Sequence, residues 1–160
     1  MPSSKKLSQL IPDLRSGLQL SLELTAHDTT MALKRLGPYW TGDFEAAWEV
    51  QLGQTRIESD RPGQKGLPER KPKTDDWTPT PVSVPLDDTD SLKGYTIGNK
   101  MEYADQAMDL VPGPDNVYRG DRERATARKD WFERYLLNGM AKRVIREATR
   151  KGMGLAGFDR

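Results

Sequence analysis

The sequence predicts an α+β domain: a long N-terminal helix, a small antiparallel sheet with a long proline-rich arm between its strands, a short helix and a long C-terminal helix. Three observations lead there. Leu7, Leu10, Leu14, Leu18, Leu22, Ala26, Leu33 and Leu36 recur at steps of three and four, which gives a helix one buried apolar face. From Phe44, apolar residues fall on alternate positions (Phe44, Ala46, Trp48, Val50, Leu52), the period of a half-buried strand. Far downstream, Tyr95 and Ile97 alternate with Thr96 and Gly98, which supplies the partner strand. A lone strand is not stable in water, so the two are expected to pair beneath the helix.

The first helix is expected to start near Pro12, because proline is tolerated only near a helix start, and to stop at Gly37-Pro38 with glycine in a left-handed cap. At about 24 residues it would be about 36 Å long, enough for one end to project. The strand beginning at Phe44 would hold Glu45, Glu49 and Gln51 on its solvent face, where carboxylates keep a sheet soluble. Asn99 is expected to cap the following short helix, with Tyr103, Ala104, Ala107, Met108 and Val111 on its inner face and Pro112-Gly113-Pro114 as its end. After a polar loop, Trp131, Phe132, Tyr135, Leu136, Met140, Val144 and Ala148 form the stripe of a single last helix that stops at Gly152, leaving a flexible tail.

Residues 53–93 have a different texture. They hold six of the eleven prolines, cations in the first half (Arg61, Lys65, Arg70, Lys71, Lys73) and Asp87, Asp88 and Asp90 at the end. A solvated linker would be a poor home for Trp77, Val82, Val84 and Leu86, since each would expose apolar area. The segment is therefore expected to be an arm of a single domain, residues 1–160, that orders on a partner subunit through those four residues.

Composition narrows the function. Only 35% of residues are apolar and 31% are charged, with a mean hydropathy of −0.78, a lean core for the length. A net charge of +1 creates no global field for nucleic acid or anionic lipid. The lack of cysteine excludes disulfides and thiolate metal sites, as suits a protein made in a reducing cytoplasm. No long apolar run suggests a membrane span. His27, the single histidine, is expected to be structural. There is no phosphate-binding glycine loop and no nucleophile with a base, so neither an enzyme nor a cofactor is expected.

Two pieces of the chain resemble a known family. PYWTGDFEAAW and, beyond the arm, YTIGNKMEYADQAMDLVPG are similar to the tail-completion or head–tail connector proteins of tailed bacteriophages, the minor tail protein Z-like group. The matching positions are Pro38, Thr41, Gly42 and Phe44 in the entry to the first strand, with Trp48 within it, and Asn99, Tyr103 and Ala104 after the second. The chain departs from the pattern at Met108-Asp109-Leu110, where the family has Glu-x-Gly, and in its longer arm. The resemblance implies a non-enzymatic virion protein, made in the host cytoplasm. It would form a ring, generally six-fold, between the neck and the tail tube, with genomic duplex DNA passing through unbound. A tail terminator that caps the tube is the alternative within that class. A small nucleic-acid-binding module, using residues 61–73 and the cationic last helix, is the alternative outside it.

Overall fold

The structure is a computed structural model that describes residues 6–38, 42–62, 77–86, 92–109 and 131–158. Its elements are α1 (Leu7–Leu36), α2 (Asp43–Ala46), β1 (Trp48–Leu52), β2 (Tyr95–Asn99), α3 (Ala104–Asp109), α4 (Trp131–Leu137) and α5 (Met140–Leu155). The class is α+β, with a two-stranded antiparallel sheet in which Trp48 faces Asn99 and Leu52 faces Tyr95.

Helix α1 begins one turn before the expected start and runs for 30 residues, about 45 Å. Pro12 sits inside it. The bond it forfeits, to the Ser8 carbonyl, lies in an exposed stretch where water can satisfy that oxygen. Gly37 ends the helix in extended rather than left-handed backbone, with φ −65° and ψ 166°. Close approach explains the glycine: a Cβ there would lie 3.3 Å from both the Phe44 and Trp131 rings. The Gly37 N–H still donates to the Leu33 carbonyl at 2.9 Å.

The alternation read from Phe44 onward holds only from Trp48. Gly42, at φ 95°, turns the chain into the single-turn helix α2. Phe44 and Glu45 are therefore buried together, Ala46 is exposed, and Ala47 is buried. Asn99 is likewise not a helix cap. It closes β2, donates from Nδ2 to the Phe44 carbonyl at 2.7 Å, and accepts the Met101 N–H at 3.0 Å. One buried amide thus ties α2 to the turn that leads into α3. The expected stop at Pro112-Gly113-Pro114 and the polar loop after it lie outside the described residues.

The core gathers where these elements meet. Leu33, Phe44, Ala47, Trp48, Met101, Ala104, Ala107, Trp131 and Tyr135 form one buried cluster. Phe44 stacks on Tyr103 at 6.2 Å and meets Trp48 and Trp131 edge-on, so the aromatic rings lock the sheet to α2 and α4. Trp131 Nε1 donates to the Ala107 carbonyl at 3.0 Å and fixes α4 against α3.

The expected single last helix is two. Asn138 and Gly139, the latter at φ 76°, separate α4 from α5. Helix α5 then returns antiparallel along α1 and continues through Gly152 to Leu155. Gly152 is a contact rather than a stop: a Cβ on it would lie 2.5 Å from the Ser21 nitrogen and Oγ. Gly17, Ser21, Ala148 and Gly152 let the two backbones approach, and Ser21 Oγ bridges the Gly17 and Thr149 carbonyls at 2.6 and 3.2 Å.

Candidate functional site

The periodic face of α1 is only half a core face. Ala26 and Leu33 are buried and Leu36 half-buried, whereas Leu10, Ile11, Leu14, Leu18 and Leu22 are exposed, Ile11 by 65%. The reason is rotational. Packing on α5 uses Gly17 and Ser21, while Ile11, Leu14, Leu18 and Leu22 lie on an adjoining strip of the helix at steps of three, four and four. The helix also outruns its partner, because α5 ends beside Gly17. The first turns of α1 therefore extend beyond α5, where Leu10, Ile11 and Leu14 are 37%, 65% and 42% exposed. A second apolar patch lies on α4, where Leu136 is 52% and Leu137 73% exposed. Exposed apolar residues in contiguous rows mark surfaces that another molecule covers.

The described parts of the arm touch their own chain at several points. Ile57 crosses Gly98 so closely that a Cβ there would lie 2.8 Å from the Ile57 Cβ. The Arg61 N–H donates to the Lys100 carbonyl at 2.8 Å, and the Arg61 carbonyl accepts the Glu102 N–H at 3.0 Å. Further on, Pro79 is buried, Trp77, Val82 and Val84 are half-buried, and Leu86 is 77% exposed. The Tyr95 hydroxyl donates to the Pro85 carbonyl at 2.9 Å. Of the four residues proposed to anchor a partner, Leu86 presents the most apolar surface to one.

Thr80 is the tightest attachment. Glu45 accepts its N–H on Oε1 at 2.8 Å and its hydroxyl on Oε2 at 2.6 Å, and Lys34 Nζ donates to its carbonyl at 3.0 Å. Lys34 and Glu45 are themselves an ion pair at 3.4 Å, their side chains 3% and 6% exposed. Glu45 is thus not on the solvent face, since α2 turns it inward to meet Lys34. The signal available in the sequence was helical phase: Lys34 lies four residues after buried Thr30 and next to Leu33. What it could not show was the distant threonine that completes the pair.

Two other described titratable groups make surface contacts. The Lys100 ammonium is held above the usual lysine range, chiefly by its hydrogen bond to Asp60 and then by the charge of Glu49. His27 contacts its neighbour Asp28 at 2.8 Å. Among the described residues no group of His, Cys, Asp and Glu could hold a metal ion, and no helix is long and apolar enough to cross a membrane.

Of the motif positions, Thr41 lies outside the described residues and Pro38 follows α1 half-buried. Gly42, Phe44, Trp48, Asn99, Tyr103 and Ala104 converge on the α2–β2 junction, where they build the core. Comparison with protein-family models, curated proteins and solved structures gives no match.

Proposed function

We propose that this chain is a structural virion protein that forms a ring in the neck of a tailed bacteriophage, joining the head side to the tail tube and leaving a central passage for DNA. The observation that carries the reading is the exposed apolar row of α1, Leu10, Ile11, Leu14, Leu18 and Leu22, on a helix that outruns its own domain. Such a surface is costly on a monomer and is explained by neighbouring copies that cover it. The order of the two sequence motifs supplies the particular class. A lean core and near-neutral charge agree with it, since an assembly unit buries its surplus apolar area between subunits and a conduit gains nothing from gripping its cargo.

Deletion of the gene from the phage that encodes the chain tests this reading. Electron microscopy should then show filled heads and finished tails that fail to join, and supplying the protein from a plasmid should restore joined particles. Normal tailed particles from the deletion would refute it.

The nucleic-acid reading has one observation in its favour. Lys142, Arg143, Arg146, Arg150 and Lys151 are all exposed on α5, and Glu147 is the single acid among them, 3.9 Å from Arg143.

A further inference from the structure

We infer that copies of this chain associate head to tail, the projecting end of α1 in one copy seating on the Leu136–Leu137 end of α4 in the next. The inference deepens the ring reading by naming the contact, and rests on it for the assumption that copies associate in a repeat rather than a closed pair.

The argument starts from placement. Ile11 and Leu14, the head patch, lie at the free end of α1. Helix α5 packs antiparallel to α1, with Gly152 against Ser21 and Met140 on the core cluster that contains Leu33. Leu136 and Leu137 directly precede that turn, so they sit at the Leu33 end of the molecule. Ile11 and Leu33 are roughly 33 Å apart along the helix axis. The chain thus carries two different apolar patches at opposite ends of one long element. An isologous pair that joins like patches would bury one of them and leave the other in water, whereas a two-fold antiparallel pair would seat each head on the other copy's tail and close as a dimer. A heterologous contact buries both in every copy, and repeating it generates a ring or filament.

Charge agrees with that pairing. Arg15, four residues after Ile11 and next to Leu14, is exposed and has no ion-pair partner among the described residues. Glu133, three and four residues before Leu136 and Leu137 on the same face of α4, is also exposed and without an ion-pair partner there. Asp13 and Arg134, the opposite charges beside the two patches, already have interactions of their own, so the head patch is edged by an unpaired cation and the tail patch by an unpaired anion among the described residues. Pairing head with head would oppose like charges, whereas pairing head with tail matches them.

The absence of cysteine makes the contact directly testable. Ile11→Cys and Leu137→Cys alter two exposed positions, and far-UV circular dichroism checks that each variant keeps the wild-type fold. The two sites are too far apart within one chain to form a disulfide, which needs Cα atoms within about 7 Å. Purified full-length variants are concentrated, oxidised mildly and separated without reductant. The expected result is a disulfide-linked dimer from an equimolar mixture of the single variants, little from either alone, and a ladder of multimers from the double variant. Efficient dimerisation of Ile11→Cys alone would overturn the inference in favour of an isologous α1 pair, and a double variant that stops at a doubly linked dimer would overturn it in favour of an antiparallel isologous pair. No cross-link in any combination would overturn it by showing that something other than a second copy covers the patch. As a second arm, Arg15→Glu should weaken cross-linking severalfold, and adding Glu133→Arg to the same chain should restore it. Failure to restore would count against the register. A ladder from a protein that proves dispensable for joining heads to tails would leave this contact standing and remove the phage reading, so the two failures are distinguishable.

Discussion

At the scale of single residues, the Lys34–Glu45–Thr80 contact shows how a buried charge becomes tolerable. Glu45 carries a full charge into a site where it is 5% exposed, and three partners replace its water: an ammonium, an N–H and a hydroxyl. Losing Glu45 would leave Lys34 buried with only the Thr80 carbonyl and two Thr80 donors without their acceptor, so Glu45→Leu should destabilise by about 3–5 kcal/mol. Thr80→Val removes the hydroxyl bond alone and should cost about 1.5–3 kcal/mol. The two effects should be strongly non-additive, because both changes break the same bond. Urea denaturation of the four proteins in the cycle measures this. Additive costs would mean that Thr80 does not hold the arm to Glu45 in solution. Trimming the arm through Thr80 should destabilise the domain for the same reason.

At the scale of elements, the α1–α5 pair depends on residues too small to be noticed in a hydrophobic pattern. Gly152→Ala would drive a methyl into the Ser21 backbone, and it should cost about 1–3 kcal/mol by forcing the helices apart. Gly94, whose Cβ would meet nothing within 4 Å, is the control, and its alanine variant should lie within about 0.5 kcal/mol of wild type. Thermal melts separate the two. Equal melting temperatures would show that the helices are not packed as closely as described.

These elements also show what a sequence can reveal. Helix α1, the β1–β2 pairing and the apolar stripe of α5 were legible because each rests on a period, and the period follows from backbone geometry. Glycine was the blind spot. At Gly42 and Gly139 it turns the backbone, at Gly37 and Gly152 it admits a neighbour, and both uses look alike in sequence. The first pair breaks one expected strand and one expected helix; the second imitates a cap and a stop. The leucine row of α1 was legible as apolar, but a period cannot say whether the covering surface belongs to the same chain. That is why a face expected in the core is instead the candidate assembly surface.

At the scale of the whole molecule, the fold has a packed end and a projecting end. The aromatic cluster around Phe44 and Trp131 makes the first; the early turns of α1 make the second. Charge is also uneven: α5 gathers cations on a chain whose net charge is +1. If the chain is a conduit wall, duplex DNA should bind only weakly and the binding should vanish near physiological salt, as a nonspecific phosphate contact does. Fluorescence anisotropy across a salt series checks this, and sequence-specific binding that persists would favour the nucleic-acid module.

The central claim, a ring at the junction of head and tail, is tested most directly by locating the protein in assembled particles. Cryo-electron microscopy of virions from the genome that encodes the chain, reconstructed around the neck, should reveal a closed ring of copies around the DNA passage. In it, the α1 end of each copy should lie against α4 of the next. Virions whose neck contains no copy of this chain would contradict the account.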